Sequence, residues 1–103
     1  MNENFPDTLF DAKVIAFAKV SPEYQRTGKT THSVGGIVKG SATHMVIAQY
    51  PEENSFYVFG LYQDGSETDT WHESLDNAIK QLDWEYENLS QNLVWKSKPA
   101  SGH

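Results

Sequence analysis

The segment SFYVFGLYQ (residues 55–63) limits what this chain can become more than any other. It carries apolar side chains on both faces, the pattern of a central strand covered on two sides or of a curled sheet. Asp64-Gly65 follows directly. Asp-Gly between two strand-like runs is a hairpin signal, because both residues of a tight two-residue loop need positive φ. SETDTWH (66–72) is then the returning strand, and a two-residue loop sets Val58 opposite Trp71, Phe59 opposite Thr70 and Gly60 opposite Asp69. A strand that is apolar on both faces requires cover on both sides of its sheet.

The helix that could supply one cover is written just downstream. Ser74 is placed to accept from an unpaired N–H of the first turn, and Asp76 suits the positive helix start. Leu75, Ala78, Ile79, Leu82, Tyr86 and Leu89 then recur at 3-4 spacing and predict one apolar stripe on a helix over 75–89. DAKVIAFAKV (11–20) reads as a strand from its β-branched and aromatic content, although Leu9, Phe10, Lys13, Val14 and Phe17 also fit a helical face. SPEYQRTGKT (21–30) is a loop. THSVGGIVKG (31–40) and THMVIAQY (43–50) read as a hairpin joined near Gly40-Ser41, with Gly35-Gly36 as a bulge in its first strand. LVWKSK (93–98) adds an edge strand, and residues 1–8 and 99–103 are expected to fray. The sum is a single α+β domain over 1–103: an antiparallel sheet of four to five strands packed against one C-terminal helix. Leu75, Ile79 and Leu82 are expected to lie on Tyr57, Phe59 and Leu61.

Composition decides which chemistries remain open. The 103 residues contain no cysteine, which removes disulfides, a thiolate nucleophile and cysteine-based zinc sites. MNENFPDTLFD has acids where a signal peptide has Lys or Arg, and the longest apolar run, about seven residues, is too short to span a bilayer. The expectation is a cytoplasmic protein without a membrane partner. Between Asp64 and Glu87 eight acids face a lone Lys80, a net charge of −7, while the rest of the chain is nearly neutral. Such a segment repels phosphate backbones, which argues against nucleic acid, and attracts basic protein surfaces.

No catalytic constellation emerges. TGKT (27–30) has part of a phosphate-loop pattern, but Glu23 stands where the first glycine is required. Zinc needs three or four converging ligands, and His32, His44, His72 and His103 show no HxH, HxxxH or HExxH spacing. Asp69 and His72 have opposite parity on their strand and point to opposite faces. Glu73 falls in an exposed turn, and no GxSxG elbow is present. The reading is therefore a non-enzyme with no cofactor and no metal.

Trp84 is the unusual residue, about 180° from Leu75 on the helix and ringed by Asn77, Lys80, Gln81, Glu87 and Asn88. That is the composition of an interface anchor; the other reading places it under the C-terminal segment against Trp95. The candidate partner-binding residues are Trp84, Asp83, Glu85, Glu87, Lys80, Asp69 and Glu73.

From Phe56 to Glu87, an aromatic strand, an acidic turn, TDTWHESLDNA and AIKQLDWEYE follow one another. In its pattern D-T-W-H-x-S-L-x-x-A and its aromatic-acidic helix end, this third of the chain resembles small bacterial immunity proteins encoded beside polymorphic toxins. The resemblance implies binding rather than chemistry. It points to an immunity protein that neutralises a cognate secreted toxin by occluding a basic surface. The alternative is an adaptor or self-associating domain that forms a homodimer.

Overall fold

The computed structural model describes residues 5–21, 27–28, 33–38 and 40–97. β6 (Phe56–Leu61) and β7 (Glu67–His72) form the expected hairpin, but its register is set by a longer turn. Tyr62 N–H donates to the Ser66 carbonyl and Gly65 N–H to the Tyr62 carbonyl, both at 3.0 Å, so the loop is Gln63–Asp64–Gly65. Gly65 alone of these carries a positive φ, 89°, the residue that completes a three-residue hairpin loop with a bulge. The Asp64 carboxylate closes the turn by accepting from the Ser66 amide at 3.0 Å and its hydroxyl at 2.6 Å.

One extra loop residue turns every side chain of β7 over relative to β6. Tyr57 pairs with Trp71 and Phe59 with Asp69, not Val58 with Trp71 and Phe59 with Thr70. Tyr57, Phe59 and Leu61 therefore share a face with Glu67, Asp69 and Trp71. The helix packs on the other face, and the expected contact of Leu75, Ile79 and Leu82 with Tyr57, Phe59 and Leu61 is corrected. Leu82 is buried with Phe56, Val58, Met45, Ile47 and Ile15, and Leu75 and Ile79 pack against that cluster.

The main sheet runs β1 (Thr8–Leu9), β2 (Ala12–Lys19), β5 (His44–Gln49), β6, β7, antiparallel throughout and curled as a half-barrel. The fold class is α+β, and residues 11–20 are strand, not helix. β8 (Val94–Trp95) pairs with β2 alongside β1. β5 is the middle of the sheet, with Met45 to Gln49 buried throughout. A bulge between Val14 and Ala16 shifts the β2 register on β5. The extra residue switches facing: Ala12, Val14 and Phe17 pack on the face opposite the helix, and Ile15 and Ala18 pack toward it.

Three further expectations change. β3 (Ser33–Val34) pairs with β4 (Ile37–Val38), not with the strand after Gly40. Gly35 and Gly36, at φ 60° and 83°, are the two turn residues of that small hairpin rather than a bulge. His44 consequently faces Lys19 and Leu61 and not Ile37, while His32 lies outside the described residues. The start of the chain is tied down from Phe5 onward: Phe5 stacks on Phe17 at 4.2 Å and its carbonyl accepts from Lys96 Nζ at 2.9 Å. Residues 99–103 lie outside the described residues.

Helix α1 (Leu75–Glu85) begins where the sequence places it, with Ser74 Oγ accepting from Asn77 N–H at 3.1 Å. It ends four residues earlier than the apolar stripe suggests. Tyr86 turns extended, and its hydroxyl accepts from the Ala42 amide at 2.8 Å inside the core. Asn88 then enters the left-handed region at φ 62°, and a 3-10 turn (Leu89–Asn92) buries Leu89. The helix's final carbonyls find donors from a distant loop: Thr27 N–H donates to Glu85 at 3.0 Å and the Thr27 hydroxyl to Trp84, which satisfies groups that have no partner inside the helix.

Gly60 marks the tightest approach in the sheet. A Cβ built there lies 2.8 Å from Thr68 Oγ1 and 3.4 Å from Met45 Sδ. Thr68 is β-branched and stiff at χ1, so Gly60→Ala should cost about 1–3 kcal/mol by overpacking. Urea denaturation measures it, and adding Thr68→Ala should recover part of the loss because the two positions couple.

Candidate functional site

The groove beside Trp84 is assembled from the end of β7 and the outer face of α1. Two residues separate His72 from Leu75, so the last strand residues and the first helical turns are forced side by side. Asn77, Lys80, Gln81 and Trp84 recur at 3-4 spacing and therefore share one helical face. With Trp71, His72 and Glu73 they line an open groove of about 370 Å³. Trp71 is 56% exposed and Trp84 49%, so each indole offers a large apolar area to solvent.

The floor is polar and partly buried. His72 Nε2 lies 2.7 Å from Thr70 Oγ1. Burial pushes the His72 imidazole below its ordinary value of 6.5, and the nearby Glu85 carboxylate opposes that shift without cancelling it. Glu85 is only 6% exposed, and its Oε2 accepts from Gln81 Nε2 at 2.6 Å. The groove therefore combines two indole walls with amide, ammonium, carboxylate and neutral imidazole groups. That mixture can take up both apolar and hydrogen-bonding groups.

The structure disperses the sequence-derived candidates. Trp84, Lys80 and Glu73 meet in the groove. Glu87, exposed, borders a second shallow concavity with Thr27, Asp83 and Asn88. Asp83 itself holds the 3-10 turn, accepting from the Ser90 amide at 2.8 Å and hydroxyl at 2.6 Å. Glu85 is buried under the helix rather than presented on its outer face. Asp69 lies on the opposite side of the sheet beside Phe59. The negative segment is thus divided between structural ties and two separate surfaces. Trp71, His72 and Gln81 were not among the candidates; an indole and an imidazole immediately before a helix cap are the only local sign of them.

The remaining motifs have structural roles or fall outside the described residues. Thr27 caps α1, Gly28 takes φ 80°, and Lys29 and Thr30 lie outside the described residues, as does His103. His44 Nδ1 meets Thr43 Oγ1 at 3.1 Å, and its ring lies 5.4 Å from that of Phe5. Among the described residues there is no group of three or more His, Cys, Asp or Glu side chains that could hold a metal ion, and no helix long and apolar enough to cross a membrane. Comparison with protein-family models, curated proteins and solved structures finds no match for this chain.

Two outcomes follow from this geometry. A group whose folded pKa is depressed stabilises the fold above its unfolded value and loses that contribution as pH falls. The His72 contribution should therefore be present above pH 6.5 and be lost as pH falls below that value. His72→Gln should flatten the stability difference between pH 8 and about pH 5.5, and an NMR titration should place the His72 midpoint below 6.5. Separately, Leu82→Ala should cost about 2–5 kcal/mol of stability as a core truncation, while Trp84→Ala should melt close to the parent. Equal losses in the two would move Trp84 into the core.

Proposed function

We propose that this chain is a protein-binding domain that neutralises a cognate secreted toxin by occlusion, acting in the cytoplasm of the bacterium that makes it. The observation that carries the reading is the pair of half-exposed indoles, Trp71 and Trp84, flanking one groove with polar groups between them. Large aromatic side chains that can be desolvated inside a polar rim are the composition of binding hot spots. The formal charge of −6 supports a basic partner, since it would speed encounter at low salt. The resemblance of residues 56–87 to immunity proteins supplies the class of partner, and occlusion needs no catalytic group.

A second reading, self-association, is favoured by β8. Val94 and Trp95 are 40% and 51% exposed on a two-residue edge strand at the far side of the sheet from β7. An apolar edge of that kind can pair with a second copy.

The test is binding kinetics against the product of the neighbouring gene, together with rescue of cells that express it. Trp84→Ala or Trp71→Ala should weaken binding by roughly 2 kcal/mol or more, mainly through faster release. Glu73→Gln combined with Glu87→Gln should instead slow association and flatten its salt dependence. No binding and no rescue, with a concentration-dependent dimer abolished by Trp95→Lys, would establish the second reading in its place.

A further inference from the structure

The face of the sheet opposite α1 carries a second surface that shares only Trp71 with the Trp84 groove. On it, the Tyr50 and Tyr57 rings meet edge to face at 5.2 Å, Tyr57 stacks with Phe59 at 6.1 Å, and Phe10 tilts against Phe59 at 5.0 Å. Trp71 stands opposite Tyr57 in the ladder, and Asp69 opposite Phe59. Phe59 is buried, but Phe10 is 47% exposed and Trp71 56%, with Tyr50 and Tyr57 between these extremes. Carboxylates surround the rings. Burial raises the Tyr50 hydroxyl above its ordinary value, and Tyr57, Asp11, Asp69 and Glu53 add to that shift. Asp69 stands opposite Phe59 in the ladder and Asp11 follows Phe10 in the β1–β2 turn, which puts two exposed carboxylates at the rim of these rings. Among the described lysines, Lys19 shares this face but stands at its other end, opposite His44. Lys13 lies between Ala12 and Val14, which pack on this face, so it points to the other side, and Lys96 is paired with Asp7 at 3.0 Å.

The β1–β2 turn gives an independent sign that this surface is used. Its two residues, Phe10 and Asp11, sit at φ 51° and 68°, the left-handed region that Asn and Gly occupy at least cost. A turn selected for stability would hold those residues. Asp11 is tolerated there, but Phe10 is not, and its ring lies against Phe59 in the same patch; strain of this kind concentrates at binding sites.

We infer that this sheet face, centred on Tyr57 and bordered by Phe10, Tyr50, Asp69 and Trp71, docks an arginine-bearing segment of a partner protein. Aromatic faces attract a cation directly, and guanidinium more often than ammonium, because the planar group also stacks. Carboxylates at the rim pair with the same group in a fork geometry that a lysine cannot match. A second copy of this chain is a poor occupant, since two such faces would bring like charges together. The inference rests on the reading of the chain as a protein-binding domain and places the partner's basic chemistry on the sheet rather than on the helix.

The experiment uses the isolated protein and a hexa-arginine peptide, with hexa-lysine and hexa-citrulline as comparisons, followed by two-dimensional NMR. It needs no cognate partner, so it can fail while toxin neutralisation succeeds, and the reverse. The expected result is saturable shifts confined to Tyr50, Tyr57, Asp69 and Trp71 and the Phe10-Asp11 turn, with arginine bound at least about threefold more tightly than lysine and citrulline not at all. Asp69→Asn, and separately Phe10→Asn with Asp11→Gly, should each weaken the arginine peptide roughly fivefold or more, whereas Trp84→Ala should leave it unchanged. The second of these variants installs the preferred turn but removes the Phe10 ring from Phe59, so a thermal melt close to the parent's accompanies its binding curve. Equal binding of arginine and lysine with shifts spread over Asp76 and Glu87 would reduce the effect to net charge and overturn the inference. Concentration-dependent shifts of the same face without peptide would overturn it too, by assigning the face to a second copy.

Discussion

Which side chains of β7 share a face with which of β6 is decided in the turn after Tyr62, and both surfaces of the sheet's edge follow from that. Gly65 supplies the one left-handed residue that a three-residue loop requires, and Asp64 locks the turn through Ser66. Phe56 and Val58 face Leu82, and the resulting register leaves Trp71 and Asp69 on the far side with Tyr57 and Phe59. With β6 held in its ladder with β5, a two-residue loop would instead turn β7 over and send Glu67, Asp69 and Trp71 to the helix side.

The sheet can bear two different faces because its central strand is insulated from both. β5 is buried from Met45 to Gln49, and the β2 bulge re-aims Phe17 so that it joins Val14 on one face while Ile15 and Ala18 remain on the other. Gln49 is the buried polar exception. Its side chain donates to the Glu53 carbonyl at 3.0 Å and anchors the β5–β6 connection that carries Glu53. One face is closed by α1 and the 3-10 turn. Among the described residues the other is closed by Phe5, Leu9 and neighbouring rings, and Phe10 and Trp71 at its border are about half exposed.

Negative charge in this chain serves two purposes that look identical in composition. Asp83 fastens the 3-10 turn, Asp64 fastens the hairpin, and Glu85 is tied to Gln81 beneath the helix. Glu73, Glu87, Asp11 and Asp69 are exposed. Among the described residues the second set makes no such tie, and it is distributed over two sides of the molecule. Trp71 is the residue common to both surfaces, lining the groove of Trp84 and standing next to Tyr57 in the ladder.

What the sequence determined alone is the part governed by short-range free energies. Ser74 caps α1 whatever else surrounds it, because its hydroxyl competes for an N–H three residues away. The strands β5, β6 and β7 are legible in their β-branched and aromatic runs, and with them the α+β class, whereas β2 also fits a helical face and is decided by its ladder with β5. Helical periodicity puts Trp84 off the apolar stripe, but that it stands half exposed rather than covered is decided by the tertiary structure. Tertiary structure decided what depends on distant partners. The helix stops at Glu85 because the Tyr86 hydroxyl takes the amide of Ala42, 44 residues away, and because Thr27 supplies donors to the last carbonyls. β5 chose β2 and β6 over the glycine-rich segment before it, since pairing there buries both of its faces. Facing is the least legible property of all. A side-chain period of two makes a single added residue reverse it, and nothing within the strand itself records the length of the turn that closes it.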